Sequence, residues 1–147
     1  MNDWETTSGV VRLNLLLFTV GGVCFAVDAE QVDGMSGYQT GESGNLLWFH
    51  ELLGFGYRDV TYREPAVLAI KTVESGSCRV IIDNMEDIAE YSVSDIVPLP
   101  ALLEPFAVRN GIWGVLKRDS VLTLLVDFHR IANLPDILLR ITKECIP

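Results

Sequence analysis

Apolar and polar positions along the chain form one pattern that occurs twice. LLLFTVGGVCFAVDAEQVDGM begins at Leu15, and VLAIKTVESGSCRVIIDNMEDI begins at Val67. Each copy has an apolar run, a glycine-containing turn, a second apolar run that ends in aspartate (Asp28 or Asp83), and an acidic segment. Two apolar runs around a turn are typical of a β-hairpin, and a duplicated unit predicts two similar β-subdomains in one protein.

Three hairpins are predicted, each from two apolar runs that flank a short polar or glycine-rich turn. Gly21-Gly22 is typical of the tight two-residue turns that join antiparallel strands. The alternation of Arg79 with apolar neighbours fits a strand with one face in water. The paired runs are residues 13–20 with 23–27, residues 66–73 with 79–82, and residues 111–116 with 121–128.

The segments between the hairpins predict short helical pieces. Ala29, Val32 and Met35 lie three residues apart, which indicates one or two helical turns, or an elbow with one buried face. LLWFHELLGF, which begins at Leu46, predicts a strand that enters a short helix and stops at a glycine. Ser92-x-x-Asp95 is typical of a capped single turn.

We predict a single domain over residues 1–147, because no flexible linker divides the chain. Its first subdomain would cover about residues 12–56 together with a C-terminal helix, and its second about residues 66–131. The C-terminal helix is predicted within residues 133–146 and would pack against the body. Its apolar side carries Ile137, Leu138, Ile141 and Cys145.

The net charge of −9 disfavours a nucleic-acid partner, since binding to phosphates depends on Lys and Arg. Between Arg79 and Arg109 there is no basic residue. This stretch predicts either a solvated acidic face or a docking face for a basic partner. Its acidic residues are Asp83, Glu86, Asp87, Glu90, Asp95 and Glu104.

A cytoplasmic location without membrane insertion is expected. The N-terminal residues MNDWETTSGVV carry acids and no basic cluster, unlike a secretory signal. The apolar runs are far shorter than the roughly 20 residues that a membrane span needs. Cys24, Cys78 and Cys145 form no CxxC pair, and the first two lie among apolar neighbours, as buried structural thiols do.

Candidate catalytic chemistry is sparse, and we predict that the protein is not an enzyme. Asp127 and His129 would share a face if they lay in a strand, and such a pair can orient a general base. A small Asp–His hydrolase therefore remains an alternative, although no activated nucleophile has a recognisable sequence context. The chain lacks the spacings typical of metal and phosphate sites, so no cofactor or metal is predicted.

Trp48 and Trp113 are candidate interface anchors. Trp113 lies between Gly111 and Gly114, where the backbone permits close approach. Aromatic side chains bury much area at low entropic cost, which favours interfaces. Ordinary core packing is the alternative for each tryptophan.

With these units in place, the chain resembles the CheW family of chemotaxis coupling proteins. FTVGGVCFAVDAEQVDGMSGY (residues 18–38) is similar to the first phrase of that family, and RVIIDNMEDIAEYSVSDIVPLP (residues 79–100) is similar to the second. GIWGVLKRDSVLTLLVDFHRI (residues 111–131) resembles its closing hairpin.

The resemblance implies a mainly β fold of two SH3-like β-barrels and a non-enzymatic adaptor. Members of the family couple the regulatory domain of a histidine kinase to the cytoplasmic tips of chemoreceptors. Val32 falls where the family has a receptor-facing valine, and Val67 lies near another residue of the same groove. Together with Met35, Trp48 and Trp113, these two valines are the predicted protein-binding residues.

The chain departs from the family between Tyr38 and Leu46. Only residues 39–45 separate them, and the Asn-Leu-Arg-Gly strand of the family has no counterpart there. This shortening predicts an open first subdomain whose exposed strand edge could pair with another chain. A self-associating module outside chemotaxis, such as a homodimer, is therefore the alternative function.

Overall fold

The computed structural model describes residues 11–41, 46–54, 59–71, 78–118 and 120–132. These residues are mainly β, as predicted. The strands are β1 (Arg12–Val20), β2 (Val23–Asp28), β3 (Val32–Gly37), β4 (Leu46–Trp48), β5 (Pro65–Ile70), β6 (Cys78–Asp83), β7 (Asp87–Ser92), β8 (Ile96–Val97), β9 (Ile112–Arg118) and β10 (Val121–Val126). The α-helices are α1 (Phe49–Leu52), α2 (Glu104–Arg109) and α3 (Phe128–Ala132), and 3-10 turns span Ala29–Gln31 and Val93–Asp95.

The strands form a six-stranded sheet in the order β7-β1-β2-β10-β9-β8 and a four-stranded sheet in the order β3-β5-β6-β4. The three predicted hairpins are confirmed as the antiparallel pairs β1–β2, β5–β6 and β9–β10. Gly21 and Gly22 have φ values of +60° and +82° and connect Val20 to its partner Val23. A two-residue turn with two positive φ angles matches the twist of a hairpin, which explains the glycine pair.

The two copies of the sequence pattern exchange strands. The strand after the first hairpin, β3, pairs with β5 of the second hairpin. The strand after the second hairpin, β7, pairs with β1 of the first hairpin. As a result, each sheet contains strands from both predicted subdomains, whose boundary falls between residues 56 and 66. The division into subdomains at this boundary stays a prediction.

The main core lies between the two sheets, and a second core lies on the other face of the six-stranded sheet. Leu16 and Phe18 of β1 belong to the main core, whereas Leu15 and Leu17 belong to the second. Because alternate residues of a strand point to opposite faces, the continuous run LLLF reflects burial on both sides. The second core also takes residues from β7 and β8, the two ends of the sheet order, so this sheet curls.

Arg118, the last residue of β9, connects that strand to β7 across the curled sheet. Its guanidinium donates to Thr123 Oγ1 at 3.3 Å and to Glu86 Oε2 at 3.4 Å, beside the start of β7. Partial burial acts to lower the pKa of Arg118, but a hydrogen bond to Tyr91 and the charge of Glu86 outweigh it and raise the pKa above its ordinary value. The described residues therefore join β9 to β7 by side chains.

The helical predictions have mixed outcomes. The helix after Leu46 is confirmed as α1, and Gly54 beyond it has φ +89°. The turn at Ser92 is also confirmed, since Ser92 Oγ accepts from the backbone N–H of Ser94. The helical turns predicted from Ala29 to Met35 are wrong beyond Gln31, because β3 begins at Val32 and pairs with β5. The predicted C-terminal helix lies outside the described residues.

Candidate protein-binding surface

An apolar groove opens where the main core reaches the surface. It has a volume of about 400 Å³, and its lining includes Val23, Phe25, Leu53, Leu103 and Leu124. A smaller apolar cavity of about 180 Å³ adjoins it and shares Val23, Phe25 and Leu53. We call these two connected cavities the apolar groove.

The groove follows from the parallel pairing of β2 and β10. Leu124 lies beside Phe25 in this pairing, so the outer faces of both strands form one apolar surface. Burial decreases along it, from Phe25 at 6% exposure to Val23 at 43% and Leu122 at 62%. The apolar surface therefore continues out of the core into solvent.

A leucine pair before α2 borders the groove. Leu102 is 83% exposed and Leu103 is 53% exposed, and Leu103 lies in the groove lining. Leu103 O accepts from the N–H of Ala107, so the pair belongs to the first turn of the helical segment. Contiguous exposed apolar side chains of this kind indicate a protein-interaction site.

The groove carries no charged side chain. Asn110 and His50 are the polar residues in its lining. Such a surface can bind an apolar side chain or the apolar face of a helix by removing it from water. The free energy gained is about 25 cal/mol per Å² of apolar area that is buried. Among its described lining residues, the one ionisable side chain is His50, whose Nδ1 lies 3.0 Å from the Tyr62 hydroxyl.

The predicted binding residues lie in different environments. Val32 is half-buried against the main core, and Met35 is 49% exposed on β3. Val67 is 2% exposed, so its side chain contributes to packing and does not reach the surface. Trp113 is half-buried against the second core. Their role in binding stays a prediction, and the structure places Met35 as the most accessible of the five.

Trp48 belongs to an aromatic cluster on the four-stranded sheet. Its ring centroid lies 4.8 Å from that of Tyr62 and 5.6 Å from that of Tyr38. The hydroxyl of Tyr62 accepts from the backbone N–H of His50 at 3.2 Å and lies 3.0 Å from His50 Nδ1. Tyr38, Trp48, His50 and Tyr62 thus hold the connection before β5 against α1.

Ionisation of Tyr62 gives a direct check on this cluster. Burial is the largest cause that raises the pKa of Tyr62 to about 12 from the ordinary value of 10. Between pH 10 and pH 12 the folded protein keeps the Tyr62 proton, whereas the unfolded chain loses it. The stability that the protonated Tyr62 hydroxyl contributes is therefore complete below pH 10 and disappears as the pH rises through 12. We expect absorbance titration at 295 nm to show a tyrosine that ionises near pH 12, and Tyr62→Phe to remove it. An unchanged titration in the variant would contradict the assignment.

The Asp127–His129 hypothesis fails on geometry. β10 ends at Val126, so His129 lies in α3 and does not share a strand face with Asp127. Asp127 Oδ1 accepts from the backbone N–H of His129 at 3.0 Å and from Gln31 Nε2 at 3.0 Å. Because the carboxylate caps a helix, it does not orient the imidazole. In the described ranges, no group of three or more His, Cys, Asp or Glu residues could hold a metal ion.

The acidic stretch does not form one surface for a basic partner. Asp83 is buried, Glu86 pairs with Arg118 at 3.4 Å, and Glu90 pairs with Arg12 at 3.4 Å. Half of its six acids are therefore occupied by internal contacts. The solvated or structural interpretation fits these residues better than a docking face.

Sequence reasoning missed the leucine pair, since residues 101–103 have neither strand nor helix periodicity. The only available signal was the apolar Ala-Leu-Leu that follows Pro98 and Pro100.

Among the described residues, no helix has the length and apolar composition that crossing a membrane requires.

Comparison with known proteins identifies the fold. No protein-family model and no curated protein matches the chain significantly. Its structure is similar to the crystal structure of the scaffolding protein TtCheW from Thermoanaerobacter tengcongensis, with a TM-score of 0.62 and 12% sequence identity, over 85% of this chain and 90% of that chain. The chain therefore has the CheW-like fold that its duplicated hairpins and their order along the sequence predict.

Proposed function

We propose that this protein is a non-enzymatic, cytoplasmic adaptor that couples a chemotaxis-type histidine kinase to chemoreceptors. The observation that carries the proposal is an open apolar groove on a CheW-like fold. An adaptor needs surfaces that bind proteins, and the groove provides an apolar one. TtCheW, a structural relative, is itself a scaffolding protein.

The groove suits an amphipathic helix of a receptor or kinase. Helices bind grooves through apolar residues at positions i, i+3, i+4 and i+7, which enter cavities between neighbouring side chains. Val23 and Leu103 line the groove and are exposed, and exposed Leu122 lies next to the groove on the same strand face as Leu124. Such a helix would bury all three side chains. Exposed Met35 and half-buried Val32 on β3 would serve the second partner, the chemoreceptor, as the resemblance to the family implies for Val32.

Simultaneous binding would explain how such a protein signals without catalysis. Two partners on one rigid body are held at an effective concentration set by their separation, which reaches millimolar values for short connections. The main core extends from the groove to β3, so both surfaces belong to one packed unit. The adaptor would therefore fix how receptor and kinase lie relative to each other.

Charge substitution in the groove tests the proposal. We expect wild type to bind a chemotaxis kinase regulatory domain or a receptor tip fragment measurably by isothermal titration calorimetry. Leu103→Asp and Leu122→Asp are each expected to weaken binding at least tenfold, because an unpaired carboxylate resists burial against apolar groups.

Val93→Asp is the matched control, since Val93 is an apolar residue at 40% exposure that neither lines the groove nor lies on the strands β2 and β10 that form it. It should leave binding within twofold of wild type. Circular dichroism and thermal melts of all variants would establish that they are folded. Absence of wild-type binding to either partner, or equal weakening by Val93→Asp, would refute the adaptor function at this groove.

A self-associating module outside chemotaxis is the second candidate function. The observation that favours it is β3, an edge strand whose residues beyond Val32 are all exposed. A chain that forms dimers and binds neither kinase nor receptor would support this candidate over the adaptor.

A further inference from the structure

The four strands at the ends of the two sheets differ in how they are protected from edge-to-edge pairing. Natural edge strands avoid such pairing by short length, charge, proline or irregularity. β8 has two residues and precedes Pro98 and Pro100, whereas β4 has three residues and runs into α1. β7 carries Asp87 and Glu90, and Glu90 pairs with Arg12.

β3 is the exception within the described part of the chain. Its six residues include no lysine, arginine or proline. Its one charge, Asp33, coincides with an irregularity in the pairing with β5 between Val32 and Gly34. Residues Gly34 to Gly37 then pair regularly with β5 on one side, and the sheet order has no strand on the other side.

Among the described residues, no segment covers this edge. Only residues 38–45 connect β3 to β4, and Tyr38 at their start already packs against Trp48. The residues of β3 after Val32 are all exposed, with Met35 at 49%, and no described strand pairs with the outward backbone N–H and C=O groups of β3. Exposed backbone groups on a regular edge are a template for another strand.

We propose that β3 of one copy pairs antiparallel with β3 of a second copy, which joins two four-stranded sheets into one eight-stranded sheet. An isologous antiparallel pair has its twofold axis at one residue facing itself. With the axis at Met35, Gly34 faces Ser36 of the other copy and Asp33 faces Gly37. This register buries two exposed methionines together and keeps the two Asp33 carboxylates apart.

The charge of the chain determines how this association responds to salt. Two copies, each with a net charge of −9, repel each other in dilute salt. Salt screens this repulsion: the screening length is about 10 Å at 0.1 M salt and becomes shorter at higher salt concentrations. Self-association should therefore strengthen as salt increases, whereas binding to a basic partner would weaken.

Pairing through one six-residue strand buries less than the roughly 1,600 Å² of a standard interface, so the dimer is weak and concentration-dependent. Sedimentation equilibrium of the full chain from 10 to 500 µM is expected to show a monomer–dimer equilibrium that tightens at least threefold between 0.05 and 0.5 M NaCl. Ser36→Lys should raise the dissociation constant at least tenfold. Ile88→Lys, which adds the same charge at a half-exposed residue of the edge strand β7, should change the dissociation constant less than twofold.

A cross-link tests the register. With Cys24 and Cys145 changed to serine, Met35→Cys should give a disulfide-linked dimer under mild oxidation, because the residue at the axis faces its own copy. Ile88→Cys in the same background should remain monomeric. Cross-linking in both variants, or in neither, overturns the β3–β3 contact.

Different results would refute the β3 dimer and the adaptor function. A chain that stays monomeric to 500 µM overturns the β3 dimer whatever its affinity for a kinase or receptor. If it stays monomeric while a partner protects the amides of residues 34–37 from hydrogen exchange, the edge belongs to that partner and not to a second copy.

Discussion

Replacing Phe49 with alanine is expected to lower the free energy of unfolding by about 3–5 kcal/mol, the usual cost of deleting a buried aromatic ring. Phe49 is fully buried, and its ring lies 4.7 Å from Phe25, 4.9 Å from Phe18 and 6.1 Å from Phe128. These rings come from β1, β2, α1 and α3. A cavity at Phe49 would therefore remove contacts that join elements far apart in the sequence.

Urea denaturation followed by circular dichroism would measure the effect. Phe49→Leu retains most of the volume and should cost about half as much or less. Val23→Ala is the control, since Val23 is 43% exposed and its truncation should cost about 0.5 kcal/mol. A loss below 1 kcal/mol in Phe49→Ala would mean that the aromatic cluster does not hold the sheets together.

Sequence reasoning succeeded where structure depends on neighbours in the chain. Gly21 and Gly22 identify a turn because few other residues adopt two successive positive φ angles. Ser92 identifies a capped turn because its hydroxyl accepts from a nearby N–H. Both signals act over two or three residues, so they are visible without knowledge of the rest of the fold.

Strand partners were beyond sequence reasoning because they lie far apart. β3 contains two glycines and one aspartate, which have low strand propensity, and only its pairing with β5 makes it a strand. β7 carries two acids, Asp87 and Glu90, and becomes a strand by pairing with β1, about 75 residues earlier in the chain. Local preference is weak against such tertiary pairing. The β3 segment was therefore interpreted as a helical turn or elbow, and the β7 segment was recognised only as acidic.

The candidate site depended on the same long-range information. Exposure of Leu103 and burial of Val67 follow from which strands lie nearby, and both residues belong to apolar runs of similar appearance. Asp127 and His129 were misinterpreted for a local reason. Their spacing fitted a strand, but the carboxylate starts a helix by accepting backbone N–H bonds, a role that aspartate often has.

Replacing Asp83 with alanine is the second change with a large expected effect. Asp83 is 2% exposed, and its carboxylate accepts from the N–H of Arg63 at 3.0 Å and from the N–H of Glu64 at 2.6 Å. It thereby attaches the connection before β5 to the end of β6. Alanine would leave both donors without this partner, so we expect a loss of about 2–4 kcal/mol in the free energy of unfolding.

Asp28 is the matched control because it occupies the same place in the first copy of the sequence pattern. It is half-buried and caps the 3-10 turn by accepting from the N–H of Glu30 at 2.9 Å. Asp28→Ala should therefore cost about 0.5–1 kcal/mol, the lower part of the range for an N-cap. Equal losses in the two variants would contradict the structural role assigned to burial of Asp83.

The Asp83 variant should also affect the apolar groove. Val60 belongs to the connection that Asp83 holds, and it lines the smaller cavity of the groove together with Phe49. Loss of the carboxylate should accelerate hydrogen exchange at the amides of Arg63 and Glu64 at least tenfold and weaken binding at the groove. If exchange at these amides stays at the wild-type rate, water or another group replaces the carboxylate, and the connection does not depend on Asp83. An accelerated exchange with unchanged binding would instead separate the connection from the binding surface, and would leave the surface around Leu103 and Leu122 as the part that partners contact.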